Sequence, residues 1–384
     1  MSDQPNSSII LPPAMLGMLG GGQLGRFFVI AAHEMGYKVT VLDPDKNSPA
    51  GRIADVHLCA GYDDKDALQQ LAENCAAVTT EFENVPAATM EFLAKTLHVR
   101  PGAAAVAIAQ NRVLEKNFVR EAGLPGAPFE VIEQLDDIPE QGVYPGILKV
   151  ARFGYDGKGQ VRVADQAEAK AAFETLGKEV CVLEKMLPLD YEVSVILGRD
   201  ANGNIAAFPT AENSHLNGIL DVSIVPARAP TILHEQAHQY AMHIAEQLDY
   251  VGILAVEFFV SDGQLLVNEI APRPHNSGHY TIDACVTSQF EQQVRILAGL
   301  PLGDARMHSY AVMVNILGDV WENGEPAWDK ILAYPQLKLH LYGKHEARRG
   351  RKMGHFTMLG KDVETVVALA MQGRNELGIG TLAW

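Results

Sequence analysis

A glycine-rich turn lies between two short apolar runs near the start of the chain, and this order limits the folds available to it. The runs are Met15–Leu19 and Lys38–Leu42. Between them, residues 24–35 carry apolar side chains at intervals of three and four, the spacing of one helix face. A further apolar run at residues 77–80 and a helical segment after Pro86 repeat the rhythm. Alternating strands and helices predict a parallel sheet with helices on both faces.

The rest of the chain changes in character after Gly123 and predicts further units. With 384 residues, the chain is too long for one ordinary core, so we expect two or three domains. Antiparallel strands and two more helices are expected over residues 147–163, 165–176, 180–197, 205–208, 231–249 and 253–270. From about Asp304, short strands and turns predict a compact β-rich tail.

Charge and composition exclude several classes of protein. The net charge of −16 excludes non-specific attraction to a nucleic-acid backbone. No apolar run has the length of a membrane span, and no basic residue precedes Ile9-Ile10-Leu11, so neither a membrane partner nor a secretory signal is expected. The four cysteines form no CxxC pair, which is typical of reduced thiols. We therefore expect a cytoplasmic protein.

The glycine turn itself matches the dinucleotide fingerprint. Gly20-x-Gly22-x-x-Gly25 follows a predicted strand and begins a predicted helix, and Asp43 ends the next strand. Glycines at this spacing let an anion approach a helix N-terminus. An NAD(P) site and a tight turn without a ligand both fit this pattern. Because no hydride-transfer constellation follows, an NAD(P)-dependent oxidoreductase stays the less favoured alternative.

A second glycine loop joins two predicted strands in the middle of the chain. Lys149 ends the first strand, and residues 152–160 contain three glycines and Lys158. Glycines expose backbone N–H groups to phosphate oxygens, and lysine neutralises their charge. The loop joins two strands and has no GK[ST] sequence, so it is not a Walker A loop. Phosphate binding and an exposed turn remain equal alternatives from these residues alone.

Two glutamates lie in the apolar runs of a predicted hairpin. Glu257 and Glu269 are each surrounded by apolar residues in the sequence. A buried carboxylate without a partner destabilises the folded state by roughly several kcal/mol unless it takes up a proton and becomes neutral. Two such groups close together predict a site for Mg²⁺, which prefers oxygen ligands. The alternative is a pair of structural acids, neutralised for example by Arg273.

The two glutamates can share a face only in certain registers. A two-residue turn at Asp262-Gly263 would pair Glu257 with Asn268 and turn Glu269 to the opposite face. We therefore predict a hairpin loop of three or five residues.

A metalloprotease motif also occurs in the chain. His234-Glu-Gln-Ala-His238 matches HExxH on a predicted helix. The apolar face of that helix runs through Leu233, Ala237 and Ile244, which places both histidines at its border. Ala241 replaces the glycine of the longer zinc-protease pattern, and no spaced third histidine follows. A solvated helix rim is the simpler interpretation.

Four motifs together resemble one enzyme family. They are Gly21–Arg26, Thr80–Asn84, Gly154–Gln160 and Asn268–His279. In this order they are similar to the N5-carboxyaminoimidazole ribonucleotide synthetases of the ATP-grasp superfamily. The resemblance implies an ATP-grasp fold. Its expected parts are an N-terminal parallel-sheet ribonucleotide domain (1–110), an ATP-grasp region (111–303, with a lid at about 124–186) and a small β-rich C-terminal domain (304–384).

The resemblance also implies ligands for individual residues. ATP phosphates are expected at Arg112, Lys149, Gly154, Tyr155, Asp156, Gly157, Lys158, Gly159 and Gln160. Adenine and the hinge are expected at Glu184, Lys185 and Leu187, and ribose at Glu192 with His215 and Asn268 nearby. Mg²⁺, with Mn²⁺ as an alternative, is expected at Glu257 and Glu269. The ribonucleotide is expected at Gln23, Leu24 and Glu81, with Glu83 as a further candidate, and its phosphate at Lys344, Arg351 and Lys352.

The implied reaction is ATP- and bicarbonate-dependent carboxylation of aminoimidazole ribonucleotide through carboxyphosphate, by a homodimer with small-molecule partners only. Arg273, His275 and Asn276 are the expected catalytic residues. The basic stretch at 344–352 has a second interpretation, a solvated charge run or targeting signal. Ala271, in place of the asparagine of many ATP-grasp enzymes, argues against biotin carboxylase and the D-alanine ligases. A formate-dependent glycinamide ribonucleotide transformylase is the closest alternative, and Gln23 and Asn276 favour the carboxylase. A non-enzymatic nucleotide-binding protein is a third.

Overall fold

The structure is a computed structural model that describes residues 9–152 and 159–380. Three sheets organise these residues in chain order. Among the described residues, no helix has both the length and the apolar character to cross a membrane.

The N-terminal unit is a five-stranded parallel sheet in the order β3-β2-β1-β4-β5. Its strands are β1 (Met15–Leu19), β2 (Lys38–Leu42), β3 (Val56–Leu58), β4 (Ala77–Thr80) and β5 (His98–Val99). The helices are α1 (Gln23–Glu34), α2 (Lys65–Asn74), α3 (Ala87–Leu93), α4 (Ala103–Ala109) and α5 (Arg112–Glu121). Helix α1 ends just before Gly36, whose φ of +83° favours glycine. The predicted parallel sheet is confirmed.

The next unit is a four-stranded antiparallel sheet in the order β6-β9-β7-β8 with one helix against it. Its elements are β6 (Phe129–Ile132), β7 (Gly146–Val150), β8 (Gln160–Val163), α6 (Gln166–Thr175) and β9 (Cys181–Lys185). Leu148, Phe173 and Leu183 form the centre of its small core. This is the predicted α+β lid.

A nine-stranded sheet forms the body of the molecule. Its first part contains β10 (Tyr191–Arg199), β11 (Ile205–Ala207), β12 (Ala211–Leu216), β13 (Ile219–Val225), α7 (Thr231–Gln247), β14 (Gly252–Ser261), β15 (Gln264–Ala271), α8 (Thr281–Ala284) and α9 (Gln289–Leu297). Helix α7 packs its apolar face, including Leu233, Ala237 and Ile244, against this sheet. Helix α9 contacts both the sheet and helix α1, with the rings of Phe27 and Phe290 5.0 Å apart. The sheet thereby reaches the N-terminal unit.

The hairpin of β14 and β15 corrects one prediction. Its turn has two residues, Asp262 and Gly263, both with positive φ (+49° and +70°), and not the predicted three or five. The register nevertheless shifts after the Phe258–Val267 pair, so that Glu257 lies opposite Glu269. Asn268 is the extra residue of a β-bulge, which supplies the odd residue that we had assigned to the loop.

The tail extends the central sheet. Strands β16 (Tyr310–Leu317), β17 (Leu337–Leu341) and β18 (Lys352–Gly360) continue it in the order β13-β16-β18-β17, and α10 (Trp328–Ile331) and α11 (Val363–Glu376) complete the tail. Arg374 on α11 forms a buried ion pair with Asp221 on β13, with Nη1 and Oδ1 2.6 Å apart. The tail is rich in strands as predicted, but it shares a sheet with the region before it. The predicted boundaries at 110/111 and 303/304 stay predictions.

Candidate active site

Two carboxylates of the protein itself occupy the glycine turn. The amide of Gly21 donates to Asp43 Oδ2 over 2.7 Å. The amide of Gly22 donates to Glu81 Oε1, and that of Gly25 donates to Glu81 Oε2 over 2.7 Å. A pyrophosphate at this helix N-terminus would have to displace both side chains. The turn therefore has the glycine spacing of a dinucleotide site without its free amides.

Close packing explains the glycines of this turn. A Cβ atom at Gly22 would lie 2.5 Å from Glu81 Oε1, and one at Gly20 would lie 2.5 Å from the Glu81 side chain. Burial raises the pKa of Glu81, although the two amides oppose that shift. Gln23 and Leu24 begin helix α1 beside it, half-buried and buried respectively. Their predicted contact with a ribonucleotide stays a prediction.

The two glutamates of the predicted metal site face each other across the hairpin. Arg112 Nη1 lies 3.8 Å from Glu269 Oε2, and His275 Nε2 lies 3.6 Å from Glu257 Oε1. Burial raises the pKa of Glu257 to about 7, and the nearby charge of Glu269 adds to this shift although His215 opposes it. Two carboxylates that face each other, with Glu257 14% and Glu269 43% exposed, suit a divalent cation. The oxygen ligands fit Mg²⁺ or Mn²⁺.

A buried carboxylate between two lysines lies beneath the lid sheet. Lys116 Nζ and Lys149 Nζ each lie 3.2 Å from Glu184 Oε2, and the three side chains are 4%, 12% and 4% exposed. Although burial opposes it, the two lysines hold the pKa of Glu184 below its ordinary value. Two cations with one carboxylate leave one unit of positive charge. This triad (Lys116, Lys149 and Glu184) can therefore attract a phosphate.

Lys116 is the site residue that our sequence analysis missed. Its Nζ also donates to the backbone O of Asn268, the bulge residue beside Glu269, over 2.9 Å. Lys116 lies one helical turn after Arg112 on α5, so the two share a face. The four-residue spacing could have identified Lys116 from the sequence, because Arg112 had already been predicted to bind phosphate.

Arg273 joins the N-terminal sheet to the hairpin. Its Nε donates to Glu83 Oε2, which follows strand β4. Although burial opposes both shifts, this pairing raises the pKa of Arg273 and lowers that of Glu83. Close by, Glu115 Oε1 accepts from the amide of Ile270 over 2.6 Å. Burial and the charge of Glu269 raise the pKa of Glu115 to about 8, against the effect of Lys116.

His215 and His275 lie on either side of Glu257. His215 Nδ1 lies 3.0 Å from Glu192 Oε2, and this neighbour raises its pKa although burial opposes the shift. His275 Nδ1 lies 2.9 Å from Ser277 Oγ. Burial and the charge of Arg273 keep the pKa of His275 well below its ordinary value, so it is a neutral imidazole. Ribose and metal residues predicted from sequence thus lie in one cleft.

The side chain of Asn276 is buried and hydrogen-bonded within the protein, whereas its predicted catalytic role requires contact with a substrate. Its amide exchanges two hydrogen bonds with the amide of Asn315, over 3.1 and 2.6 Å, and it is 5% exposed. Asn315 Nδ2 also donates to Leu220 O over 2.7 Å. The side chain therefore ties the segment after the hairpin to β13 and β16.

The predicted phosphate loop at 344–352 packs against the N-terminal unit. Arg52 Nη1 donates to Gly343 O over 3.2 Å, and Lys344 Nζ donates to Lys352 O over 2.6 Å. Arg351 Nη1 donates to Glu346 O over 2.9 Å. The charge of Lys352 also affects the pKa values of Glu257 and His275, so this loop borders the metal site. These bonds order the two ends of the loop, whereas Arg348 and Arg349 between them are 66% and 85% exposed, so the charge run is solvated in part.

Other predicted residues divide into two groups. Gly154, Tyr155, Asp156, Gly157 and Lys158 lie outside the described residues. Gly159 O accepts from the amide of Val150 over 2.9 Å and precedes Gln160, the first residue of β8. Lys185 ends β9 in the lid, and Leu187 follows it, half-buried.

The HExxH histidines lie on α7 away from this cleft. His234 Nε2 lies 3.2 Å from Ala229 O, at the start of the helix. Burial lowers the pKa of His238, with the charge of His234 adding to the effect. The border position predicted for them is confirmed.

Comparison with known protein families divides the chain into three matches. Residues 14–110 match the ribonucleotide synthetase preATP-grasp domain, and residues 117–290 match the ATP-grasp domain. Residues 311–368 match the phosphoribosylaminoimidazole carboxylase C-terminal domain. The first match contains the glycine turn, the second the carboxylate pair with Lys149 and Glu184 of the triad, and the third the basic loop.

Whole-chain relatives agree with these matches. N5-carboxyaminoimidazole ribonucleotide synthase of Brucella melitensis is 47% identical over 354 residues, which are 91% of this chain and 97% of the relative. The solved ADP complex of an N5-carboxyaminoimidazole ribonucleotide synthetase is 44% identical with a TM-score of 0.90, and covers 97% of this chain and 98% of its own. The enzyme of Aspergillus clavatus, solved with ADP and 5-aminoimidazole ribonucleotide, is 30% identical with a TM-score of 0.87, and covers 95% of this chain and 98% of its own. With this degree of similarity over nearly the whole chain, beside a facing pair of carboxylates and a buried pair of lysines, the chain belongs to the N5-carboxyaminoimidazole ribonucleotide synthase family of ATP-grasp enzymes.

Proposed function

We propose that this chain is an ATP-dependent carbon–nitrogen ligase of purine biosynthesis. It carboxylates 5-aminoimidazole ribonucleotide with bicarbonate and forms N5-carboxyaminoimidazole ribonucleotide, ADP and phosphate. The observation that carries the proposal is that the Glu257–Glu269 pair has both the triad and the basic loop near it. Lys116 of the triad donates to the backbone O of Asn268, beside Glu269, and the charge of Lys352 from the loop acts on Glu257. One cleft thus offers sites for a nucleotide, a divalent cation and a second phosphorylated substrate.

The reaction divides into two steps. A bicarbonate oxygen attacks the γ-phosphorus of ATP and breaks its bond to ADP, which gives carboxyphosphate. The substrate amine then bonds to the carboxyl carbon as the bond from that carbon to phosphate breaks, and the amine loses a proton. Negative charge is concentrated on the transferring phosphoryl group in the first step, so positive charge fixed in advance lowers its barrier.

The residues present fit a divalent cation at Glu257 and Glu269. When bound there, Mg²⁺ neutralises phosphate charge and orients the nucleotide. Lys149 and Arg112 supply fixed positive charge beside it, since both lie within 4 Å of a carboxylate of the site. Lys116 acts mainly through position, because its Nζ holds both Glu184 and the backbone of Asn268.

Arg273 and His275 are suited to the carboxyl end of the reaction. Arg273 is buried and paired with Glu83, so its guanidinium is held rigidly at the junction of the two units. His275 is neutral, so its Nε2 can accept or donate a hydrogen bond beside Glu257. We assign both to orienting bicarbonate and the amine. Asn276 supports them by fixing the backbone through Asn315.

The basic loop and the glycine turn provide the ribonucleotide site. Arg52 contacts the loop at Gly343, and the amide of Ala50 donates to Gly21 O over 2.8 Å, so one short segment touches both. We therefore assign the substrate 5′-phosphate to Lys344, Arg351 and Lys352. Gln23, Leu24 and Glu81 would face the rest of the nucleotide.

Steady-state kinetics with Arg351→Ala tests this arrangement. The loss of one charge-assisted contact costs about 1.5–3 kcal/mol, so KM for aminoimidazole ribonucleotide should rise about tenfold or more while KM for ATP changes little. Arg349→Ala is the matched control, because Arg349 lies in the same loop, is 85% exposed and pairs with Asp319. A rise in KM for ATP alone would show that the loop belongs to the nucleotide site.

Substrate exchange separates this function from the closest alternative. Phosphate release should require bicarbonate with aminoimidazole ribonucleotide. Formate with glycinamide ribonucleotide should not replace that pair. Turnover with formate and none with bicarbonate would make the chain a transformylase and refute the proposal.

We also infer a cytoplasmic homodimer. All four cysteines are free thiols, which suits a reducing compartment. Light scattering on a gel-filtration column tests the oligomeric state, and a mass near 41.7 kDa at working concentration would contradict the dimer.

A further inference from the structure

A cluster of histidines lies on the two strands that flank the basic loop. His340 on β17 and His355 on β18 are direct partners in the sheet register, and their rings stack with centroids 4.7 Å apart. His340 Nε2 lies 2.8 Å from Asp283 Oδ2 on α8. One ligand atom from each of these three residues lies within 4.8 Å of the others. The three side chains come from three separate elements.

Two imidazole nitrogens at this cluster lack hydrogen-bond partners. His355 Nε2 and His279 Nε2 are buried and make no hydrogen bond to the part of the chain that the structure describes. The ring of His279 lies 4.8 Å from that of His355, and both residues are 0% exposed. A buried polar atom without a partner costs about 1–3 kcal/mol. A ligand that accepts a nitrogen lone pair would remove this cost.

The surroundings of His355 prepare its Nε2 for coordination. Its Nδ1 lies 3.0 Å from the hydroxyl oxygen of Tyr342. In the tautomer where Nδ1–H donates to that oxygen, Nε2 carries a lone pair, which is how metal-binding histidines are commonly oriented. Burial also keeps the pKa of His355 well below its ordinary value, so the ring is neutral. His340 and Asp283 are 22% and 10% exposed, which leaves a route from solvent.

We propose that Asp283, His340 and His355 form a second metal site, selective for a borderline divalent ion such as Zn²⁺, Co²⁺ or Ni²⁺. Ligands around a tetrahedral zinc lie about 3.3 Å apart, since each bond is about 2.0–2.1 Å long. The distance of 2.8 Å between His340 Nε2 and Asp283 Oδ2 is shorter than that value, and every pair of ligand atoms in the cluster lies within 4.8 Å. Two imidazoles with one carboxylate favour these ions over Mg²⁺, which prefers oxygen alone. His279 Nε2 or water supplies the fourth ligand.

The position of this site links it to the basic loop. His340 lies four residues before Lys344, and His355 lies three residues after Lys352. A metal bound here would fasten both ends of the loop to helix α8. It would therefore order the C-terminal strands against the segment that follows the hairpin, without contact with the Glu257–Glu269 pair.

Cobalt spectroscopy tests the site directly. Untagged protein, freed of metal by a chelator and kept in excess Mg²⁺, is titrated with Co²⁺. We expect saturable visible d–d bands at one equivalent, which Zn²⁺ then bleaches. His340→Gln and Asp283→Asn should weaken Co²⁺ binding by about a hundredfold or more, because even a supporting residue outside the ligand set is worth about 10–100-fold. Far-UV circular dichroism and the shift in melting temperature on adding ADP check that each variant is folded.

A matched control and a rescue complete the test. His33 and Asp55 form a similar pair, 2.9 Å apart and partly exposed, with no third ligand among the residues that the structure describes, so His33→Gln should bind Co²⁺ like the unaltered protein. His340→Cys should retain binding and add a thiolate charge-transfer band. The proposal is refuted if no saturable band appears, or if His33→Gln and His340→Gln bind alike. Neither outcome depends on the carboxylation activity.

Discussion

Removing the carboxylate of Glu184 is the sharpest test of how the phosphate site is built. Glu184→Gln keeps the size of the side chain but leaves Lys116 and Lys149 as two buried positive charges that share no anion. In the unaltered protein both amines lie 3.2 Å from the same Glu184 oxygen and are almost fully buried. We therefore expect the nucleotide-free protein to lose stability and the lid to separate from α5.

The size of this loss follows from burial. Breaking a buried ion pair by removing one partner costs about 3–5 kcal/mol, because an uncompensated charge remains. An exposed pair in the same unit provides the comparison. Lys178 Nζ and Glu174 Oε1 are 3.0 Å apart, yet these side chains are 59% and 48% exposed. Glu174→Gln should cost only about 0.3–0.5 kcal/mol.

The two proteins should differ in the pH range over which their stability changes. In the unaltered protein the folded-state pKa of Glu184 is lowered, so its contribution is present above the unfolded pKa, about 4.3, and is lost as pH falls further. In Glu184→Gln the paired lysines lose their anion, and burial already lowers the pKa of Lys149. A lysine whose pKa is lower in the folded state than in the unfolded state binds fewer protons when the protein is folded. Stability of this variant should therefore rise with pH on the alkaline side.

Urea and thermal unfolding of the unaltered protein and of both variants, without nucleotide and over about pH 3–10, measure these effects. Tryptophan fluorescence follows unfolding of the body of the molecule, so a second probe placed in the lid is needed to follow the lid. A fluorophore on the exposed thiol of Cys59 follows the N-terminal unit and serves as a reference. If Glu184→Gln unfolds like Glu174→Gln, the triad is not a buried electrostatic unit, and its role in binding phosphate loses its physical basis.

Three further predictions concern the cleft and the hairpin. Glu269→Gln should abolish ATP-dependent phosphate release at saturating Mg²⁺ while the melting temperature stays near that of the unaltered protein; near-normal turnover would refute the metal assignment. NADH and NADPH should give no calorimetric binding heat, because the amides of the Gly20–Gly25 turn are already bonded, whereas tight binding without ATP competition would overturn this. Gly263→Ala should lower the free energy of unfolding, measured in urea, by about 1–2 kcal/mol, because φ at this residue is +70°. Gly102→Ala is the control and should change it little, because φ there is −73° and an added Cβ would meet open space.

Elements with strong periodicity could be predicted from the sequence almost to the residue. Strands β1, β2 and β4 have the predicted bounds, because each is a short apolar run between clear turn residues. The hairpin loop was wrong for a specific reason. For Glu257 and Glu269 to lie on the same face of the sheet, one extra residue is needed between them, and we placed that residue in the loop. The structure instead has it inside strand β15, where Asn268 forms a bulge. The local sequence does not mark a bulge reliably, so the pairing register of the two strands could not be predicted from the length of the turn alone.

The missed triad shows a different limit. Helix α5 buries Glu115 and Lys116 and leaves Leu114 47% exposed, the reverse of what hydrophobicity predicts. Only the tertiary neighbours explain this, since Lys116 is neutralised by Glu184 from the lid and bonded to Asn268 from the hairpin. A charged residue can face the core when its partners come from distant segments, and the local sequence carries no trace of them.

The same limit separates the buried glutamates of this protein from one another. Glu81 and Glu257 each lie beside an apolar strand, and burial raises the pKa of both. Glu81 is satisfied from within, because two amides at the N-terminus of α1 donate to its two oxygens. Glu257 instead faces a second carboxylate, with the neutral imidazole of His275 at 3.6 Å and the opposing charge of His215 also acting on it. The first arrangement stabilises a turn without any ligand. The second places two carboxylates opposite each other, and that concentration of negative charge is the physical reason to place the metal and the nucleotide phosphates at the hairpin and not at the glycine turn.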